Sequence, residues 1–313
     1  NKTGKKKIVV ASILAALAMQ TAGVTDVAAA VGDQPSAAIA NGSVTSGKTN
    51  GLAIGNFASS GSNQSIAIGY YSVATATEAD PALPATAVGA GANATGQSTV
   101  ALGLLAQATS GSTTALGAKS VASEDAAVAV GYGTKATGNY ASALGADATA
   151  SNNDATAFGH GTVASGGSST ALGSRAKAGG TAGVGIGMLA NATNQYGVAI
   201  GGESSSSADN SIAIGRKSSV TGESGIAIGA FTTSKGANGV AVGTNGTKSD
   251  LGGVAVGQAA QSIAFNSVAT GMNVTAKGAN SVALGASATA NDDGTIAIGS
   301  YGSTPTKATG NRA

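Results

Sequence analysis

The chain of 313 residues contains 50 Gly, 4 Pro, no Cys and no Trp, with 10% charged and 3% aromatic residues, against roughly 25% charged residues in an ordinary globular domain. No disulfide framework, thiol nucleophile or cysteine zinc site can be built from it, and abundant Gly without a three-residue period excludes a collagen triple helix. The formal charge is +2, but beyond the first thirty residues 12 basic side chains stand against 13 acidic ones, so the main body has no electrostatic basis for binding nucleic acid.

Lys5, Lys6 and Lys7 precede an apolar run from Ile8 to Met19, and Ala28, Ala29 and Ala30 supply a small-residue cleavage pattern. Residues 1–30 therefore read as a signal peptide. An apolar run of about twelve residues falls short of the roughly 20 that span a bilayer. Residues 31–50 follow as an irregular entry segment.

From residue 51 to 300 the pattern β-branched, Ala, aliphatic, Gly recurs, with Gly at 55 and 69, then at 89 and every 14 residues up to 299. The eighteen copies are separated by sixteen intervals of 14 residues and one of 20, from Gly69 to Gly89. Three places before each Gly stands Val or Ile in twelve copies and Thr in four, with Leu52 and Ser142 as exceptions. Two places before stands Ala, except Gly185; one place before stands an aliphatic residue or Phe, except Thr270. Side chains alternate across a strand, so the first and third positions share one face and the Ala row takes the other.

After each Gly the third and fifth positions are small, as in Ala92 and Ala94 or Ala148 and Ala150. The second and fourth carry charge: Lys119, Lys135, Asp147, Arg175, Lys177, Glu203 and Lys217. This predicts a second strand with one buried and one wet face. By the same count Lys248 falls on the small-residue face. Gly, Asn, Asp and Ser then supply turns. Two short strands and two turns in 14 residues make one coil of a parallel β-solenoid, all-β in class. About eighteen coils at ~4.8 Å each would stack to roughly 85 Å.

The two apolar faces of the first strand allow two orientations. If the Ala row packs inward on the small residues of the second strand, the large rows lie outside. Val100, Leu102, Val128, Val130, Ile212, Ile214, Ile226, Ile228, Ile296 and Ile298 are then among the residues that another chain must cover, because the stripe exceeds what a soluble monomer exposes. In the reverse orientation the large rows fill the interior, and the molecule could be monomeric.

The six extra residues before Gly89 predict an enlarged loop carrying Tyr70, Tyr71, Glu78, Asp80, Pro81 and Pro84, and loops on a rigid scaffold often bind. His160 is the sole imidazole and follows a repeat Gly, an exposed position. No Ser-His-Asp set lies in a nucleophile-elbow context, Asn291-Asp292-Asp293 lacks the spacing of calcium-binding β-helices, and Gly131-Tyr132-Gly133-Thr134 is not a phosphate loop. No catalytic residue, metal site or cofactor is expected. An ice-binding or merely structural solenoid is the rival class, and the Thr residues, mixed with Ser, Asn, Lys and Val, argue against a flat ice-binding array.

The repeats Asn210-Ser211-Ile212-Ala213-Ile214-Gly215, Asn280-Ser-Val-Ala-Leu-Gly285, Gln64-Ser65-Ile-Ala-Ile-Gly69 and Asn266-Ser-Val-Ala-Thr-Gly271 resemble the head repeat of trimeric autotransporter adhesins, the YadA-like head family. The resemblance implies a left-handed parallel β-roll, three chains side by side as a homotrimer, display on the outer surface of a Gram-negative bacterium, and attachment to host cells or extracellular matrix such as collagen. In that family this motif, with a Ser three places after the Gly, is associated with collagen binding. Asn210, Ser211, Ile212, Ala213, Ile214, Gly215 and Ser218 match it here, as do Gln64, Ser65 and Ser72. The family continues into a stalk and a C-terminal membrane barrel, and neither is seen. Residues 301–313 read as an incomplete further coil, since Thr309-Gly-Asn-Arg-Ala313 repeats Thr137-Gly-Asn-Tyr-Ala141. The chain is therefore expected to be the N-terminal fragment of a longer protein, or a truncated gene product, whose anchor is missing.

Overall fold

A computed structural model describes residues 50–76 and 83–299, together with short strands at Ala37–Ile39, Ser43–Val44 and Lys307–Ala308. The leader expected over residues 1–30, and Glu78, Asp80 and Pro81 of the enlarged loop, lie outside the described residues. No helix among the described residues is long and apolar enough to cross a membrane. The chain divides into two units, Asn1–Ala141 and Ser142–Ala313, and both are built on one plan.

Each coil contributes a three-residue long strand that ends at the repeat Gly and a two-residue short strand that follows it. Long strands pair in parallel only with long strands of adjacent coils, as Leu52 with Ile66 and Ile66 with Thr86 in the first unit. In the second unit Val198 pairs with Ile212, and Ile212 with Ile226. Short strands form their own parallel ladder, as Gln107 with Val121 or Lys177 with Asn191. The backbone of each long strand bonds both ways: Ile66 N–H donates to Ala85 C=O (2.9 Å) and Gly69 N–H donates to Ile54 C=O (2.8 Å). This is the parallel β-solenoid that the 14-residue period predicts.

The segment 31–50, expected to be irregular, contains a further coil. Ala37–Ile39 pairs with Leu52–Ile54, and Ser43–Val44 with Ser59–Ser60. Its long strand is followed by Ala40 where the other copies have Gly, which is why the repeat pattern does not reveal it.

Between the two ladders the interior is one Ala wide. Ala53, Ala67, Ala101, Ala115 and Ala129 in the first unit and Ala213, Ala227 and Ala283 in the second are inaccessible to solvent, as are Ala94, Ala108 and Ala150 opposite them. This selects the Ala-inward orientation and excludes the reverse one. Val is the largest fully buried side chain among the described residues, at Val220 and Val274, and the position facing Val220 is Gly. Val220 Cγ1 lies 2.7 Å from where a Cβ at Gly225 would stand. Gly185, the departure from the Ala row, lies where a Cβ would meet Lys177 C=O at 2.4 Å.

Two close turns join the strands. The first requires the repeat Gly twice over: at Gly117 φ is +133°, and a Cβ would lie 2.3 Å from Gly131 O in the next coil. Ser and Thr then fasten the turns from inside. Ser120 Oγ donates to Gly117 C=O (2.8 Å) and Thr162 Oγ1 to Gly159 C=O (2.7 Å) at the first turn; at the second, Thr99 Oγ1 donates to Gly96 C=O (2.8 Å).

Lys248 is a correction. It is exposed, while Thr247 and Ser249 on either side of it are buried. The first turn after Gly243 holds one residue more than elsewhere and the next turn one fewer. Lys248 therefore pairs with Thr233, 15 residues before it, and with Gln261, 13 after. The extra residue shifts the strand by one place, which moves every side chain to the other face.

Gly117→Ala should lower stability by ~2 kcal/mol or more, since an unfavourable φ and a backbone clash coincide. Gly294→Ala, at φ +67° with nothing within 4 Å of the new Cβ, should cost only ~1 kcal/mol. Denaturant unfolding of the two variants measures the difference.

Candidate functional site

With Ala inside, the first and third residues of every long strand face outward in two continuous ladders in each unit. The residues expected to meet a partner chain all stand on them: Val100, Leu102, Val128 and Val130 in the first unit, and Ile212, Ile214, Ile226, Ile228, Ile296 and Ile298 in the second. All are partly or largely open in the single chain, reaching 64% at Ile298.

The two ladders are built mainly of Val, Ile, Leu and Thr. Of the five coils from 51 to 300 with Thr or Ser in the first position, four carry Leu or Phe in the third: Thr114 with Leu116, Ser142 with Leu144, Thr156 with Phe158 and Thr170 with Leu172. Of the twelve with Val or Ile first, only Val100 and Val282 are followed by Leu.

The Asn-Ser-Ile-Ala-Ile-Gly copies resolve residue by residue. Asn210 occupies the left-handed turn conformation at φ 55° and Gln64 at φ 57°, both exposed. Ser211 Oγ is buried, donates to Ala208 C=O (2.6 Å) and shares a hydrogen bond with Ser206 Oγ (2.6 Å). Ser65 repeats this with Ser62 C=O (2.7 Å) and Ser60 Oγ (2.6 Å). Ser218 and Ser72 donate to Gly215 and Gly69 C=O, each at 2.9 Å. Ala213 is interior, Gly215 turns the chain at φ +128°, and Ile212 and Ile214 stand on the outer ladders. The serines thus staple the two turns, and the side chains left to meet a partner are those of Asn210, Gln64 and the isoleucines.

Tyr70 and Tyr71 are not in the enlarged loop. They form an ordinary first turn after Gly69, whereas the six extra residues enter the second turn, between Ala76 and Leu83. Tyr71 instead stacks on Phe57 of the preceding coil at 4.7 Å between ring centroids, and Tyr70 stands edge-on to Tyr71 at 4.5 Å and to Phe57 at 6.1 Å. All three rings are more than half exposed. Desolvation among the rings, followed by the neighbouring Tyr71 hydroxyl, holds the Tyr70 phenol above its ordinary value. Phe57 and Tyr71 sit at φ 60° and 54°, a slot that later coils give to Gly91 and Gly133. Each bulky residue there costs roughly 1 kcal/mol. Composition hides this cluster, but Phe57 and Tyr71 stand 14 residues apart, and that spacing would have found it.

Charge is sorted by turn. Among the described residues, Asp147 and Glu203 lie in first turns, and the other eight of ten acidic side chains lie in second turns: Glu124, Asp125, Asp154, Asp209, Glu223, Asp250, Asp292 and Asp293. None of the nine basic ones does; Lys119, Arg175, Arg216 and Lys217 lie in first turns and the rest on or just after the short strands. The acids answer backbone N–H groups of the preceding coil: Asp209 Oδ1 accepts from Gln195 N–H (3.1 Å), Asp293 Oδ1 from Ala279 N–H (2.7 Å), and Asp125 Oδ1 from Gly111 N–H (3.2 Å) and the Ser110 hydroxyl. At first turns Lys217 Nζ lies 3.5 Å from Glu203 Oε2, an exposed pair, and the Arg216 guanidinium lies 4.4 Å from the Phe231 ring centroid. The described residues contain no group of three or more His, Asp or Glu that could hold a metal ion.

This repeat geometry has a match among known families. A model of the YadA head domain repeat covers residues 46–77, 84–106, 108–134, 136–162, 164–189, 192–218, 221–245 and 276–301, together about two thirds of the chain. The chain belongs to the YadA head family. That family consists of adhesin heads and not of enzymes. The two widest breaks in the YadA-head match, 78–83 and 246–275, fall where the six-residue insertion and the displaced Lys248 strand interrupt the regular coil. Among solved structures, the collagen-binding domain of the Yersinia adhesin YadA is similar at 31% identity, with 55% of this chain and 78% of that domain covered and a TM-score of 0.29. No curated protein gives a match.

Ser218→Ala removes a buried staple and should cost ~1 kcal/mol. Asn210→Gly preserves the turn's left-handed conformation and should change stability by only a few tenths of that, ~0.3 kcal/mol. Chemical unfolding of the two variants separates the roles.

Proposed function

We propose that this chain is the head of an exported, bacterial cell-surface adhesin that assembles as a homotrimer and attaches the cell to host surfaces or extracellular matrix such as collagen. The outer face of the long strands carries this reading. Two ladders of largely apolar side chains run along each unit and stand partly or largely open in the single chain. Three copies closed around one axis would bury both ladders, with each layer filled by the same pair of positions from each copy. Full burial of a Val, Ile or Leu contributes roughly 1.5–3 kcal/mol, so assembly and folding are coupled.

With the long strands facing the axis, the turns and short strands are left to meet a ligand. Their surface is dominated by Ser, Thr, Asn and Gly, with charge sorted by turn, and it lets an elongated partner approach the backbone closely over many coils. Membership in an adhesin-head family supports attachment as the activity, and the motif copies at Gln64 and Asn210 support collagen as the ligand to try first.

The test is native mass together with binding to immobilised fibrillar collagen. The chain is expected to have three times its monomer mass and to bind collagen. Replacing Ile226 and Ile228 together by Asp should abolish the trimer and with it the binding. A folded, stable monomer would overturn the assembly, and a trimer that binds neither collagen nor host cells would overturn the adhesive role.

A further inference from the structure

The two irregular features of the first unit lie at the same height on opposite turns. Tyr70 and Tyr71 leave the long strand Ile66–Ile68, while Leu83 and Pro84 lead into Thr86–Val88, its neighbour in the ladder. The two turns are thus about half a coil, or ~2.4 Å, apart along the solenoid. Within one chain they stand on opposite sides of the long strand, and the roughly six residues that cross from one turn to the other span about 15–20 Å.

We infer that neighbouring copies meet first turn against second turn, and that the Phe57, Tyr70 and Tyr71 cluster of one copy is covered by the Leu83–Pro84 turn of the next. This rests on the reading that the long-strand faces of several copies close around a common axis. A rotation axis along the solenoid makes such contacts head to tail. The end of each long strand, which is the first turn, must then approach the start of the next copy's long strand, which is the second.

Charge complementarity follows the same geometry. Second turns are acidic and carry no base among the described residues, whereas first turns hold four bases, Lys119, Arg175, Arg216 and Lys217, against two acids, Asp147 and Glu203. In the first unit, the Lys119 turn of one copy is level to within half a coil with Glu124 and Asp125 of the next.

At the aromatic coils the chemistry changes on both sides together. The first turn presents three open rings, and the second turn, Gln97-Ser98 and Gly111-Ser112 in the following coils, becomes Leu83-Pro84. Flat aromatic faces are the surface on which proline rings dock. Phe57 and Tyr71 share the left-handed conformation of this slot with Leu105, Lys119 and Phe231 of later coils, and their rings stand open to the adjoining copy.

The chain has no cysteine, so engineered thiols report contacts directly. Tyr71→Cys combined with Pro84→Cys should shift most of the full-length chain to disulfide-linked dimer and trimer bands after copper–phenanthroline oxidation. Either single variant should stay at the monomer position, because like turns do not meet. Tyr70→Cys with Leu83→Cys serves as a second pair in case the first perturbs folding, and Ser142→Cys on the outer long-strand face as a control across the axis. Cross-linking of Ser142→Cys with none from both turn pairs would overturn the turn-to-turn contact and leave the trimer standing. A monomeric native mass would overturn both.

Discussion

The interior between the two ladders admits one Ala from each side, and every other property of the molecule follows from that width. Backbones this close leave no space for a Cβ at the turn that closes the long strand, so Gly stands there coil after coil. Nor do they leave room for a conventional core, since even Val220 requires Gly225 to face it. A domain normally derives its stability from large buried side chains. Here those side chains exist, but the narrow interior expels them to the outer face, where only further chains can bury them. Low aromatic content and the outward placing of the larger apolar side chains are two expressions of one dimension.

The turns solve a separate problem. Fourteen residues that reverse direction twice leave carbonyl and N–H groups pointing away from both ladders, and buried polar groups of this kind need partners. Ser and Thr hydroxyls satisfy carbonyls from the inside, and Asp carboxylates satisfy N–H groups of the preceding coil from the outside. The family motif is therefore largely a recipe for a turn, a strand and a second turn. Its serines are engaged by the fold, which moves the question of ligand recognition to what the turns expose. The concentration of acids in the second turn and the absence of bases from it among the described residues have the same origin, because a free N–H group attracts a carboxylate and repels an ammonium.

Much of the coil was legible from residue identity and spacing alone. Gly117 and its equivalents, the Ala row and the two outer ladders are visible because each occupies one environment repeated many times. Counting failed wherever two changes cancel. The extra residue after Gly243 is offset by a missing one before Gly253, so the interval between repeat glycines stays at 14 while Lys248 moves from one face to the other. The interval of 20 likewise reveals that six residues are added but not which turn receives them, and Tyr70 and Tyr71 were drawn into a loop to which they do not belong. The coil at Ala37–Ile39 escaped because Ala40 replaces its closing Gly. The Phe57 and Tyr71 stack was hidden by an aromatic content of 3%, an average that says nothing about clustering.

Each coil bonds only to the coil before it and the coil after it, through ladders whose register does not depend on distant residues. Such stacking makes the head's length a quantity that can change in whole steps. Removing or adding fourteen residues within a regular stretch rejoins coils of one plan, with the same Gly approach and the same ladder register. A gene with eighteen near-copies of one short segment offers many sites for in-frame exchange, and the physics of the coil places no penalty on the products. The head could thus be lengthened or shortened by whole coils, while the irregular coils at Thr86–Val88, which follows the six-residue insertion, and at 243–253 would mark fixed points about which that growth occurs.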